Sequence, residues 1–261
     1  MTRYARHAMA ALLVTGVVLV LHGAPAAAAG RLTLSTASSR VDARTAILFD
    51  VSATGISRLD AVVVERQFGS THEWRPVARV RAGGNLQVST SALSMGRYVY
   101  RALAMAGNRV VARSSLVTVF AYGTVSLTQL ARRSQETQVA GWGTGTIQVG
   151  GSPFTWHSNT TGNDGPGQNP SITAQNSSCR SIDVQFAVSD TEVEHGGVAQ
   201  VGAGLTQTSS IVQNSNGSAG QVNAASFSIS SATWSLSLWA SYGDEVYYAA
   251  TLSCWSATGD A

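Results

Sequence analysis

Residues 233–256 read TWSLSLWASYGDEVYYAATLSCWS, and their alternation decides the fold class. Trp234, Leu236, Leu238 and Ala240 alternate with Ser235, Ser237 and Trp239. After Tyr242-Gly-Asp-Glu245, the residues Val246, Tyr248, Ala250, Leu252 and Cys254 alternate with Tyr247, Thr251 and Ser253. A period of two marks strands with one face buried. Two such runs around a Gly-Asp turn predict a β-hairpin. For both apolar faces to reach one core, the loop needs an odd number of residues, three by preference. Ser241 then pairs with Glu245, and Trp239 lies opposite Tyr247. Two neighbouring aromatics on a Ser/Thr surface would make a platform for the apolar C–H face of a sugar ring. The competing reading has this face covered by another sheet or domain.

The same alternation recurs outward from this stretch. In 181–189 the inward set is Ile182, Val184, Phe186 and Val188; in 225–230 it is Ala225, Phe227 and Ile229. The first half carries seven short candidate strands at 32–35, 45–51, 60–67, 74–81, 86–89, 96–104 and 110–120. No run of twelve residues holds a helical period. The chain therefore reads as all-β, with two β-sandwiches at 30–122 and 123–261. The junction at 119–125, Val-Phe-Ala-Tyr-Gly-Thr-Val, has none of the spacer composition of a flexible linker. The two units should abut, with Phe120 and Tyr122 at the contact.

Charge divides at the same place. Residues 31–120 hold twelve arginines against five acids, a net of +7; residues 121–261 hold three arginines against nine acids, a net of −6. The seventeen basic residues are all arginine. In sequence the arginines are scattered along alternating strands, which is how solvated faces look, so nucleic acid is not expected as a partner and an anionic cell-wall polymer is a lesser alternative. The basic half could instead dock on the acidic half.

Residues 1–29 read as a signal peptide: Arg3 and Arg6, an uncharged apolar run over 8–21, Pro25 and a small Ala27-Ala-Ala29 site. The expected product is a secreted, extracellular protein with no membrane segment. In an oxidising compartment the two cysteines, Cys179 and Cys254, should form one disulfide.

Chemistry-bearing motifs are sparse. No Gly-x-Ser-x-Gly elbow occurs, and His72, His157 and His195 stand apart without metal-ligand spacing. Catalysis, as a secreted hydrolase or an accessory part of one, is the third reading. Asp190, Glu192 and Glu194 alternate and are the candidate ligands for a calcium ion; a solvated acidic turn is the alternative, and no other cofactor is expected. The polar stretch 159–169 is a long loop, entered by Trp156 and His157, and long loops of sandwiches are places for binding. The candidate ligand-binding set is Trp239, Tyr247, Trp255, Trp156 and His157.

Two resemblances can be placed on these residues. Gly96-Arg-Tyr98-Val-Tyr100-Arg101-Ala102, with Val62-Val-Val-Glu65-Arg66 and Trp74-Arg-Pro-Val-Ala78, resembles bacterial immunoglobulin-like and fibronectin-type domains. That likeness implies a tyrosine corner at Tyr98 or Tyr100, ring buried and hydroxyl tied to backbone. The second half resembles the NPCBM carbohydrate-binding modules of secreted bacterial glycosidases. It does so at Ile147-Gln-Val-Gly150-Gly151, Val184-Gln-Phe186-Ala-Val188-Ser-Asp190, Glu192 to Val201, and Ala232 to Asp244. It departs where the family continues after its Gly-Asp turn; this chain has Glu245-Val-Tyr247-Tyr248. The resemblance implies a jelly-roll or galactose-binding-like sandwich that binds without catalysing. The leading expectation is a binding protein for carbohydrate or cell-envelope polymer. A structural or protein-interaction module with no small ligand is the alternative.

Overall fold

A computed structural model describes residues 30–256. The stretches 69–71, 84–85, 91–92, 128, 130–136, 140, 162–169, 176–177, 197–199, 209 and 242–244 are outside the described residues, as are both ends. The expected signal peptide and the body of the 159–169 loop fall there.

Most of the described residues are in strands. The first half contributes β1 (Arg31–Thr36), β2 (Arg40–Asp42), β3 (Leu48–Thr54), β4 (Ala61–Phe68), β5 (Glu73–Arg81), β6 (Leu86–Ser89), β7 (Gly96–Ala106), β8 (Arg109–Arg113) and β9 (Val117–Ser126). The second contributes β10 (Thr137–Val139), β11 (Trp142–Val149), β12 (Ser152–Thr161), β13 (Pro170–Gln175), β14 (Cys179–Ala187), a short helix α1 (Asp190–Gly196), β15 (Gln200–Gln207), β16 (Ser210–Ser218), β17 (Asn223–Ser228), β18 (Thr233–Ala240) and β19 (Glu245–Cys254). The strand expected over 110–120 is two strands, because Ser114-Ser115-Leu116 leaves the sheet between β8 and β9.

In the first half, sheet β1-β3-β6 faces sheet β5-β4-β7-β9, which β2 and β8 extend at its edges. Leu34, Phe49, Val62, Val64, Tyr100 and Val119 fill the space between them. Neither tyrosine meets the expectation of a corner by itself, because the buried ring and the backbone-tied hydroxyl fall on different residues. The Tyr98 hydroxyl donates to the Ser94 carbonyl at 3.0 Å, four residues upstream. The wholly buried ring is that of Tyr100, packed 4.7 Å from Phe49.

In the second half, sheet β10-β13-β18-β15-β16 faces β17, β14, β19 and the β11-β12 hairpin. Trp234, Leu236 and Leu238 of β18 meet Val246, Tyr248, Ala250 and Leu252 of β19 in one core. The inward sets are those read from the alternation, but the hairpin is not there. β18 pairs with β13 and β15, and β19 pairs with β12, β14 and β9. The chain crosses from one sheet to the other after Ala240. A crossing meets the same parity rule as a three-residue hairpin, since both bring the two apolar sets to one core. Trp239 and Tyr247 consequently lie on opposite outer faces of the sandwich.

The junction is a shared strand. β9 pairs with β7 through Val117–Ala121 and with β19 through Gly123–Ser126. Its odd residues serve both cores: Val119 and Ala121 the first, Val125 the second. One sheet therefore runs unbroken through both sandwiches. Beside it, Phe120 packs against Trp255 at 5.1 Å, and the Arg180 guanidinium sits 4.5 Å over the Tyr122 ring. Arg180 also pairs with Asp42. That ion pair runs against the net charges, with its acid in the basic half and its base in the acidic half.

Candidate functional site

The outer face of β17-β14-β19 forms an open cleft of about 420 Å³, closed at one end by β12 and at the other by the end of β9. The strand period decides what lines it. Ile182, Val184 and Phe186 turn inward, so Asp183 and Gln185 turn out; Tyr248 and Ala250 turn inward, so Ala249 and Thr251 turn out. The ladders set these side chains in cross-strand rows. Ser226, Asp183, Thr251 and Ser126 form one row; Ala224, Gln185 and Ala249 form the next. The ladder that pairs Ser158 with Tyr248 carries His157 to the Ala249 end of that second row. Small alanines keep the floor low while hydroxyl, amide, carboxylate and imidazole groups stand around it. The Ser226 hydroxyl donates to Asp183 Oδ1 at 2.6 Å. His157 Nδ1 is shielded from solvent and has no hydrogen-bond partner among the described residues.

An aromatic pair adjoins the cleft. Trp156 lies over Gly143 and Gly145, where a Cβ would press on its ring, and its centroid is 5.2 Å from that of Tyr247. The two belong to a small outer cluster with Val149, Phe154, Ala187 and Ala249. The Tyr247 hydroxyl donates to Glu245 Oε2 at 2.6 Å. Burial first, and then that bond to a carboxylate, hold its phenol well above the ordinary value. Tyr248, on the core side of β19, is likewise held high by burial, and it donates to the Ser171 carbonyl at 2.8 Å.

The β11-β12 hairpin that carries Trp156 and His157 is tied down at its tip. Gly150 and Gly151 take φ of 58° and 72°, the left-handed pair of a two-residue hairpin turn. Their amides donate to the two carboxylate oxygens of Asp190 at 2.6 and 2.9 Å. Asp190 is thus a clasp between the hairpin and α1. Among the described residues no group of three from His, Cys, Asp and Glu is placed to hold a metal ion, and the carboxylate of Asp190, one of the three calcium candidates with Glu192 and Glu194, is engaged by the two hairpin amides.

Of the five expected contact residues, the structure brings three together: Trp156, His157 and Tyr247. Trp239 is elsewhere and only 9% exposed. It lies across β15, opposite Gly202, and a Cβ on Gly202 would collide with its indole. Its ring is not open for stacking, which corrects the platform expected from the hairpin. Trp255 is at the junction against Phe120. Cys179 and Cys254 face one another across the β14-β19 ladder and form the expected disulfide. Asp183, Gln185, Ser226 and Thr251 were not singled out from the sequence. Their signal was present as the outward positions of the strands whose inward positions were read.

No family model matches the chain, and no curated protein does. Among solved structures it is similar to a chain described as the structure of CBM51-2 in complex with GlcNAc and INT domains from Clostridium perfringens ZmpB. The two are 9% identical, with a TM-score of 0.34. The match spans 61% of this chain and 38% of that one. So slight a likeness carries neither fold nor function across.

Proposed function

We propose that this is a secreted, non-catalytic binding protein. Its immunoglobulin-like first sandwich supports a carbohydrate-module-like second one, which holds a glycan in the cleft over β14 and β19. The observation that carries the reading is the cleft itself: rows of polar side chains over an alanine floor, beside a half-buried Trp156–Tyr247 pair. Sugar rings offer hydroxyls to such groups and C–H faces to such rings. Asp183 and Gln185 are the main hydrogen-bonding groups, and His157, with an unused Nδ1, is a third.

A glycan array followed by calorimetry on the best hits tests this with wild type and the double variant Asp183→Ala/Gln185→Ala. Losing two polar contacts should weaken binding roughly tenfold or more. No glycan bound by wild type, or equal binding by the double variant, sinks the reading. Two observations favour a different class. The unbroken sheet and the buried Trp239 suit a structural or protein-interaction module, and that reading holds if wild type binds no glycan.

A further inference from the structure

The arginines that are scattered in sequence are gathered in space. Ladder partners in a sheet share a face, so register places each one. Arg101 faces Glu65 across β7 and β4, and the two form an ion pair at 2.7 Å, which marks the outer face of the first sandwich. Val63 is paired with Arg79 on one side and Leu103 on the other, and Leu103 is paired with Arg113. Arg79 and Arg113 thus end one cross-strand row, about 14 Å apart at strand spacing. Ala61 sets Arg81 in the next row. Phe120 of β9 is flanked by Arg97 of β7 and Arg40 of β2. Arg40, Arg79, Arg81, Arg97 and Arg113 are all exposed, and none has an acidic partner among the described residues. Within the first sandwich the two acids that share this face, Glu65 and Asp42, are already taken by Arg101 and Arg180.

The face does not end at the junction. Phe120, Tyr122, Thr124 and Ser126 are the outward residues of β9, and Ser126 pairs with Thr251 in the wall of the cleft. A chain leaving the cleft along the sheet meets Trp255 and Phe120 and then the arginines. We propose that this basic face binds an acidic polysaccharide, its carboxylates held by the Arg79, Arg81, Arg97 and Arg113 guanidiniums. A planar guanidinium fork matches a carboxylate in two parallel hydrogen bonds. The choice of polysaccharide among polyanions rests on the reading of the cleft as a carbohydrate site. It also rests on the aromatics. Single-stranded nucleic acid needs open rings on which bases stack. Here Arg101 covers the Trp74 ring at 4.1 Å, and Phe120 and Trp255 pack on each other.

Equilibrium binding of the full chain to labelled polygalacturonate, to its methyl ester and to single-stranded DNA tests the proposal. Polygalacturonate should bind best, and its affinity should fall as salt screens the charges. The triple variant Arg79→Gln/Arg97→Gln/Arg113→Gln should bind about tenfold more weakly or worse while melting with wild type, since all three residues are exposed. Equal binding to the ester, equal binding to DNA, or an unchanged triple variant overturns it. The cleft reading fails separately. If neutral glycans are not bound while polygalacturonate binding still needs the arginines, the cleft is wrong and the basic face stands.

Discussion

Trp239 occupies an outward position in its strand, yet it is buried, because two glycines of the neighbouring strand leave room for it. Gly202 and Gly204 turn outward from β15 between Val201, Ala203 and Leu205, and the indole lies over them. Gly202 takes no left-handed φ, so alanine there brings a steric penalty without backbone strain. Gly202→Ala should lower stability by about 1–3 kcal/mol in urea denaturation, as overpacking does. In a Trp239→Leu background the same change should cost much less, because the clash is removed. Equal losses in the two backgrounds would show that the indole is not what the new methyl meets. The Gly-x-Gly at 202–204 was the sequence signal for this burial. It carries meaning only once β15 is known to be the neighbour of β18.

Asp190 acts at the scale of an element. Its carboxylate accepts both amides at the tip of the β11-β12 hairpin and so fixes the segment that carries Trp156 and His157. Asp190→Ala leaves two amide donors without that partner. It should cost roughly 1–3 kcal/mol and raise hydrogen exchange over residues 145–157. Glycan binding should weaken although Asp190 does not line the cleft. Unchanged exchange in that hairpin would remove Asp190 from the positioning role. From the sequence this residue reads as one of three candidate calcium ligands. The pattern of acids was legible, but the partner of Asp190 lies forty residues away and is set only by how the hairpin folds back onto α1.

At the scale of the molecule, one strand holds two cores together. Unfolding either sandwich takes a ladder partner from β9, the strand that the other half also uses. Calorimetry should therefore show a single cooperative transition, and two resolved transitions would mean that the shared strand does not couple the halves. The same ladder sets the angle between them. Backbone pairing through β9 joins the two halves, and the Arg180–Asp42 ion pair at the junction has the opposite sense to their net charges of +7 and −6. Small-angle scattering should give the same dimensions at low and high salt; compaction at low salt would restore charge as the organiser.

Period-two alternation, turn residues and the cysteine pair are local, and they were enough to fix an all-β chain, the inward faces of its strands and the disulfide. They could not say which strand neighbours which. Parity allowed both a hairpin and a crossing between sheets after Ala240, and the choice moved Trp239 away from Tyr247. Neighbour choice is made by packing among residues far apart in the chain. The polar cleft of Asp183, Gln185 and Thr251, the clasp at Asp190 and the assembly of five scattered arginines on one face were therefore decided only by the tertiary structure.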